Sequence, residues 1–469
     1  MIRLTKSLGL PLAFLLITLF FLHLGLERRL QQDDDSILAS ADSEQQQPQQ
    51  QREKFLTYLP HSGLHNQRIA LINSIVLAKA LNRTLIMPEL NLGTATYWRP
   101  TSLLPYRLDE CGDESVHLAP QVKNRKLKDG RRKAWWSANC FDYRNYLPMA
   151  VDWIFDLTAA HEMGVKTIQR QDMRLDYFER VWSVPRDERN QTVVYQVMDN
   201  SRYSYQIVDD GETTTEYDIS TNTKFSETHS LQQLGQHQEQ FMIFNSLFGS
   251  DRLALPSGGV WAQTRETLRQ EMGVSQPWVV NASRSVIGRL GGSGAYIGVH
   301  IRMGDGVFKV MQDDTMAQVR QQLIQRQHDD ATLDETTLAH IQSLDAKDRL
   351  SACLGVQSSH HHHRLGLIYM TTDAPSPHTT LPHLFEEFVC LFTLGDFQDI
   401  VDSTLHLQPP LLDHRHHPNA SVPTTQGEIL LPLIDGEIAS QASFFVPTPG
   451  STFSGYIEHR NKRFQRIRV

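Results

Sequence analysis

Hydrophobic positions along this chain fall into short runs that end in polar turns. Phe55–Leu59, apolar and aromatic, predicts a buried strand. Pro60 and Gly63 punctuate it and predict a sharp turn with close backbone approach. Ile69, Ile72, Ile75, Val76 and Ala80 then recur at helical spacing on one face, and "RTLIMP" (Arg83 to Pro88) predicts the next buried strand. The turn of this strand-turn-helix-strand unit, "HSGLHNQR" (His61 to Arg68), is crowded with hydrogen-bond donors. In open α/β sheets, ligands dock where a strand gives way to a helix, and helix N-termini favour anions. The plainer reading of such a turn is that it caps its helix.

The same grammar recurs downstream. "TVVYQV" and "YSYQIV" predict strands, whereas "FMIFNSLF", within Gln238–Phe248, predicts a short apolar helix. Tyr296–Ile301 reads as a strand ending in Arg302 and a glycine turn. In "GLIYMTTDAP" (Gly366 to Pro375) a strand runs into Thr371, Thr372 and Asp373. "ASFFVPTPGSTFSGYIEHR" (Ala442 to Arg460) reads as a strand, a Pro-Gly turn and a Ser/Thr-rich helix start. Thr315–Gly355 predicts one long helical insertion, and the histidine run His360–His363 a loop. Strands separated by helical stretches predict parallel sheets in two α/β domains, residues 55–285 and 286–469, with the polar strand ends facing one cleft.

Ahead of this body, Leu8–Leu26 carries no charge, and at 1.5 Å per residue it comes close to spanning a hydrocarbon core. A secretory signal has a shorter apolar region. Residues 1–26 are therefore expected to be a cytoplasmic tail and signal-anchor helix. Residues 27–54, too polar to form a core, are expected to be a disordered stem. The body then lies in a lumen, as in a single-pass type II protein of the Golgi or endoplasmic reticulum membrane. Sequons at Asn82, Asn190, Asn281 and Asn419 suit a lumenal body. Four cysteines allow three pairings. Their order favours Cys111 with Cys140 and Cys353 with Cys390, and no Cys-x-x-Cys spacing suggests zinc.

Net charge changes the picture in one respect. At −8 over 469 residues, the chain lacks the basic surplus of a general nucleic-acid binder. The basic stretch Lys123–Lys133 reads as a solvated loop. A phosphate-bearing ligand would have to be met by a few placed cations.

Four segments carry a resemblance. "GVHIRMGD" resembles the His-Ile-Arg-x-Gly-Asp motif of fucosyltransferases that use GDP-fucose, among them the protein O-fucosyltransferases. "IYMTTDA" and "FVPTPGSTFSGYI" resemble their second and third motifs, and "HSGLHNQR" their Gly-x-x-Asn-Gln signature in a fungal-type form. The motifs stand in the family's order from about Phe55 to Arg460. The resemblance implies a GT-B-like α/β architecture, two Rossmann-like domains facing a cleft with the donor held mainly by the second. It implies inverting transfer of fucose from GDP-fucose to a protein Ser/Thr hydroxyl. The alternatives are a glycan acceptor (α1,2 or α1,6 type) and a catalytically silent lumenal GDP-sugar-binding protein.

By motif, Arg302 and Asn66 are the catalytic candidates. His300, Asp373, Ser451, Thr452, Phe453, Gln67 and Gly63 are the substrate-binding ones. His61, His65 and Glu89 are the candidate bases. Chemistry agrees with these residue types: breaking the fucose–phosphate bond places negative charge on the leaving phosphate, which a planar arginine fork can meet in bidentate fashion. The body has no Asp-x-Asp for a divalent ion, so no metal and no cofactor is expected, with GDP-fucose as donor substrate. Two departures mark this chain: Met303 where many members carry arginine, and Ser62 and His65 where many carry glycines.

Overall fold

The computed structural model describes residues 52–93, 99–105, 108, 146–185, 188–210, 224–249, 251–304, 306–326, 335–357, 362–407 and 426–468. The expected anchor, nearly all of the stem, Cys111, Cys140, Lys123–Lys133 and Asn419 lie outside these residues. Among the described residues, no helix is long and apolar enough to cross a membrane.

From Glu53 onward the chain forms one compact unit. Its first layer is a parallel sheet of β1 (Phe55–Tyr58), β2 (Thr84–Met87), β5 (Thr167–Gln169), β6 (Val194–Val197) and β9 (Phe241–Phe244), in the order β5-β2-β1-β9-β6. β3 (Leu90–Gly93) and β4 (Tyr146–Met149) pair antiparallel beside it. β7 (Tyr205–Val208), β8 (Glu227–Ser230) and β10 (Leu253–Ala254) form a small parallel sheet in the order β10-β7-β8. The last sheet, also parallel, runs β13-β12-β11-β14 with β11 (Ile297–Ile301), β12 (Ile368–Thr372), β13 (Leu391–Phe392) and β14 (Phe444–Val446).

Strand pleating explains why these runs are apolar on both faces. In β1, Leu56 and Tyr58 join the main core while Phe55 packs on the other side with Ile86, Tyr177 and Phe241. In β11, Val299 and Ile301 face Val319 and Leu323 of α4 (Gln312–Arg326). Gly298 and His300, of opposite parity, face the other way.

Three expectations change. The segment 241–244 is a central strand, not a helix: four apolar residues carry no periodicity that separates the two, and pairing with both β1 and β6 decides it. The predicted single insertion is three helices, α4, α5 (Glu335–Gln342) and α6 (Ala346–Val356). The first helix, α1 (Leu64–Ala80), is buried nearly all round, including Arg68, Asn73 and Ser74, although Ile69 of the expected stripe is only partly covered. It lies between the sheet and α2 (Val260–Glu271), whose C-terminal carbonyls at Arg269 and Met272 receive the Arg68 guanidinium at 2.7–3.1 Å. α3 (Pro277–Arg289) packs on α7 (Gln426–Ser440), with Ser283 Oγ donating to the Ile434 carbonyl at 3.3 Å. The C-terminal helix α8 (Thr452–Arg468) returns to α2, where Arg460 donates to the Gln270 carbonyl at 2.6 Å. Cys353 and Cys390 are disulfide-bonded, as their order suggests.

Candidate functional site

Parallel β11 and β12 end side by side, and the residues after them form the centre of the site. Asp373, one residue beyond β12, accepts the N–H groups of Met303 (2.7 Å) and Gly304 (2.9 Å) and pairs with the Arg302 guanidinium at 3.2 Å. Its carboxylate therefore holds the loop after β11 instead of capping its own following segment. Both side chains stay about one-third and one-quarter exposed, so the guanidinium is fixed yet reachable. Asp305, the other acid near Arg302 in sequence, is outside the described residues.

β14 supplies the second wall. Thr448, just past its end, donates its hydroxyl to the His300 carbonyl (2.6 Å) and accepts the Arg302 N–H (3.1 Å), extending the β11–β14 ladder through a side chain. Ser454 Oγ accepts the Thr448 N–H at 3.0 Å and lies 2.6 Å from His300 Nδ1. Ser454 Oγ, with one lone pair still free, either donates to Nδ1, which places the proton of a neutral ring on Nε2, or accepts from Nδ1–H. Burial, then the Arg302 charge, lowers the His300 pKa to about 3, so the ring is neutral at ordinary pH. Gly450 takes the left-handed conformation (φ +77°) that turns the chain into α8, and Ser451 Oγ accepts the Ser454 N–H at 3.3 Å. The partly positive N-terminus of α8 and the Arg302 fork are donors of the kind an anion requires.

The N-terminal turn meets this wall through aromatic rings. Phe453 has His65 at 4.8 Å on one side and His300 at 4.9 Å on another, and His65 also packs at 4.8 Å on Tyr456. Thus "HSGLHNQR" and "GSTFSGY" come together although they stand almost 400 residues apart. The left-handed residue of the turn is Ser62 (φ +70°), not Gly63, which is extended at φ −76° as the N-cap of α1. Asn66 Nδ2 donates to Ser62 Oγ at 2.5 Å, and its Oδ1 is buried with no partner. Gln67 has its amide committed elsewhere: it donates to the carbonyls of Ser62 (3.0 Å) and Asn91 (2.8 Å) and accepts the Asn91 N–H (2.9 Å). That tie of α1 to β3 gives Gln67 a structural task.

The candidate bases separate. His65 has a buried Nδ1 without a partner, and burial with the nearby Arg68 charge lowers its pKa to about 3. His61 is depressed to about 4 by burial and Arg252, and lines a cavity of about 150 Å³ with Arg202, Lys224 and Arg252, away from Arg302 and Asp373. Glu89 is buried within the field of Arg170. Neither histidine sits near the neutral pKa that base work at physiological pH favours.

Sequence reasoning missed Thr448 and Ser454, whose roles depend on strand register, and Asp435. That acid interrupts the apolar run "LPLIDGEI", accepts the Tyr369 hydroxyl at 2.5 Å, and has its pKa raised by burial to about 7. Among the described residues no cluster of three or more His, Cys, Asp or Glu could hold a metal.

No family model matches the chain, and no curated protein matches it in sequence. Among solved structures it is similar to POFUT1 in complex with GDP, at 11% identity and TM-score 0.40, covering 88% of this chain and 96% of that one. POFUT1 in complex with GDP-fucose gives 12% and 0.38, over 88% and 95%. The fucosyltransferase NodZ from Bradyrhizobium gives 12% and 0.34, over 87% and 93%. Likeness at this level assigns neither fold nor activity to the chain.

Proposed function

We propose that the chain is an inverting, metal-independent fucosyltransferase that moves fucose from GDP-fucose to a Ser/Thr hydroxyl of a protein acceptor. One observation carries the reading: Arg302, His300 and the Ser451–Ser454 turn converge on one sheet edge, and Phe453 there touches His65 of the N-terminal turn. These are segments that resemble three of the four motifs, and Asp373 of the fourth clamps Arg302. In this reading residues 55–285 and 286–469 are two Rossmann-like domains of GT-B type facing a cleft. The diphosphate lies against the Arg302 guanidinium and the N-terminus of α8. As the fucose–phosphate bond breaks, charge collects on the leaving oxygen, where a fixed cation and amide dipoles stabilise it. Asn66 orients the incoming hydroxyl, because His61 and His65 are too weakly basic to deprotonate it. The proposed setting is a Golgi or endoplasmic reticulum lumen behind the Leu8–Leu26 anchor.

Calorimetry on the full chain tests the donor. GDP-fucose should bind more tightly than GDP-mannose, and Arg302→Ala should lower affinity by about a hundredfold or more, as loss of a charge-assisted contact does. Its circular dichroism should be unchanged. Transfer should persist in EDTA. Failure of both nucleotides to bind would overturn the reading, and a strict manganese requirement would overturn its charge strategy.

A further inference from the structure

In the N-terminal turn the left-handed position is filled by serine although a glycine stands next to it. Ser62 takes φ +70°, and Gly63 stays at −76°. Glycine adopts that conformation without steric cost and serine does not, so Ser62 is kept there by what its polar groups bind.

Its hydroxyl does not cap α1. Gly63 is the N-cap, with no side-chain cap bond, and its carbonyl accepts the N–H groups of Asn66 and Gln67, each at 3.0 Å. Ser62 binds two side chains instead. Its Oγ accepts from Asn66 Nδ2 at 2.5 Å, and its carbonyl accepts from Gln67 Nε2 at 3.0 Å. Gln67 is 1% exposed and exchanges hydrogen bonds with both backbone groups of Asn91, at 2.8 and 2.9 Å. The Ser62 backbone is thereby tied through a buried amide to β3. Its hydroxyl is a fixed point, and the Asn66 amide is what it fixes.

That hold matters because of where Asn66 stands. Ser62 and Asn66 are only partly covered, on the turn that meets α8 through His65 and Phe453. The terminal torsion of an asparagine is broad, so an unattached amide samples many orientations. A bond to a fixed hydroxyl selects one of them, which is the preorganisation a group that aligns a nucleophile needs.

We propose that Ser62 is a positioning residue: held left-handed by Gln67 and β3, its hydroxyl sets the Asn66 amide for the incoming acceptor hydroxyl. The role of Asn66 in transfer rests on the fucosyltransferase reading, whereas the hold on Asn66 rests on the hydrogen bonds alone.

Ser62→Gly and Ser62→Ala both delete the bond, but only glycine relieves the backbone, so Ser62→Gly should melt above Ser62→Ala. On the full chain each should lower kcat for transfer from GDP-fucose by about tenfold, as loss of one hydrogen bond does. KM and calorimetric affinity for GDP-fucose should be unchanged. In an Asn66→Ala background, Ser62→Gly should have no further effect, because a residue that acts through another falls silent once that one is gone. Wild-type kcat in Ser62→Gly, an effect that adds to Asn66→Ala, or a fall in donor affinity matching the fall in kcat would overturn the proposal. The hold itself is read without turnover, by NMR on protein labelled with ¹⁵N-asparagine, the Asn66 side-chain signal being assigned by its absence in Asn66→Ala. Its amide protons should exchange with water at least about tenfold faster in both Ser62 variants, and unchanged exchange would overturn the hold. Wild-type protein that shows the exchange difference but neither binds GDP-fucose nor transfers fucose would refute the enzyme reading and the transfer role of Ser62 with it, while the hold stands.

Discussion

At the scale of single residues, Asp373 organises the site more than any expectation from sequence suggested. It joins the cation to the two backbone amides that fix that cation's loop. Gly304 leaves room for it: a Cβ there would stand 2.5 Å from Asp373 Oδ2. Gly304→Ala should push the carboxylate aside and loosen Arg302, lowering GDP-fucose affinity by about tenfold, the worth of one charge-assisted hydrogen bond. Calorimetry reads the affinity, and an unchanged value would mean the clamp does not set it. His300 and Arg302 were legible as residues because both stand in a recognisable motif. That Ser454 and Thr448 complete their hydrogen bonding was not, since hydroxyl residues between prolines and glycines read only as a turn.

At the scale of elements, the close fit of β11 against α7 is the most exposed to test. A Cβ on Gly298 would lie 2.9 Å from the Ala439 carbonyl oxygen and 3.0 Å from Ala442 Cβ, neither of which is a flexible side-chain end. Gly298→Ala should cost about 1–3 kcal/mol, the usual range for overpacking. Denaturant unfolding would show it, and a wild-type midpoint would mean the helix yields freely. The Cys353–Cys390 bridge ties α6 to the start of β13 across 37 residues. Replacing both with serine removes a loop constraint worth about 4 kcal/mol in the chain-entropy account, and a loss well under half of that would indicate that residual structure in the unfolded chain limits the effect. Strands β1, β2, β11, β12 and β14 were legible because apolar runs bounded by Gly, Pro and polar residues have few other uses. β9 was not, because its four residues look alike as strand or buried helix until neighbours on both sides hydrogen-bond to them.

At the scale of the whole molecule, stability should depend on pH through buried imidazoles. His61, His65 and His300 have folded pKa values of about 4, 3 and 3, below the ordinary 6.5. The unfolded chain then binds more protons than the folded one, so stability is full above pH 6.5 and is lost as pH falls from there toward 4 and 3. Asp435, raised to about 7 from 3.8, acts with the opposite sign between those values, one group against three. The melting temperature should therefore fall from pH 6.5 to pH 5. A midpoint that holds or rises would mean these rings take up protons in the fold.

By itself, the sequence determined the parallel α/β pattern, the order of the motif segments and the type of cation at the centre. Those follow from local periodicity, turn chemistry and the fixed geometry of a guanidinium, all properties of neighbouring residues. Tertiary structure alone decided that Asp373 holds Arg302, that Phe453 lies between His65 and His300, and that Gln67 binds backbone. It also placed His61 in a separate cavity. Each of these joins residues whose separation along the chain carries no record of their contact. Burial then sets their protonation, because the cost of a buried charge depends on everything packed around it.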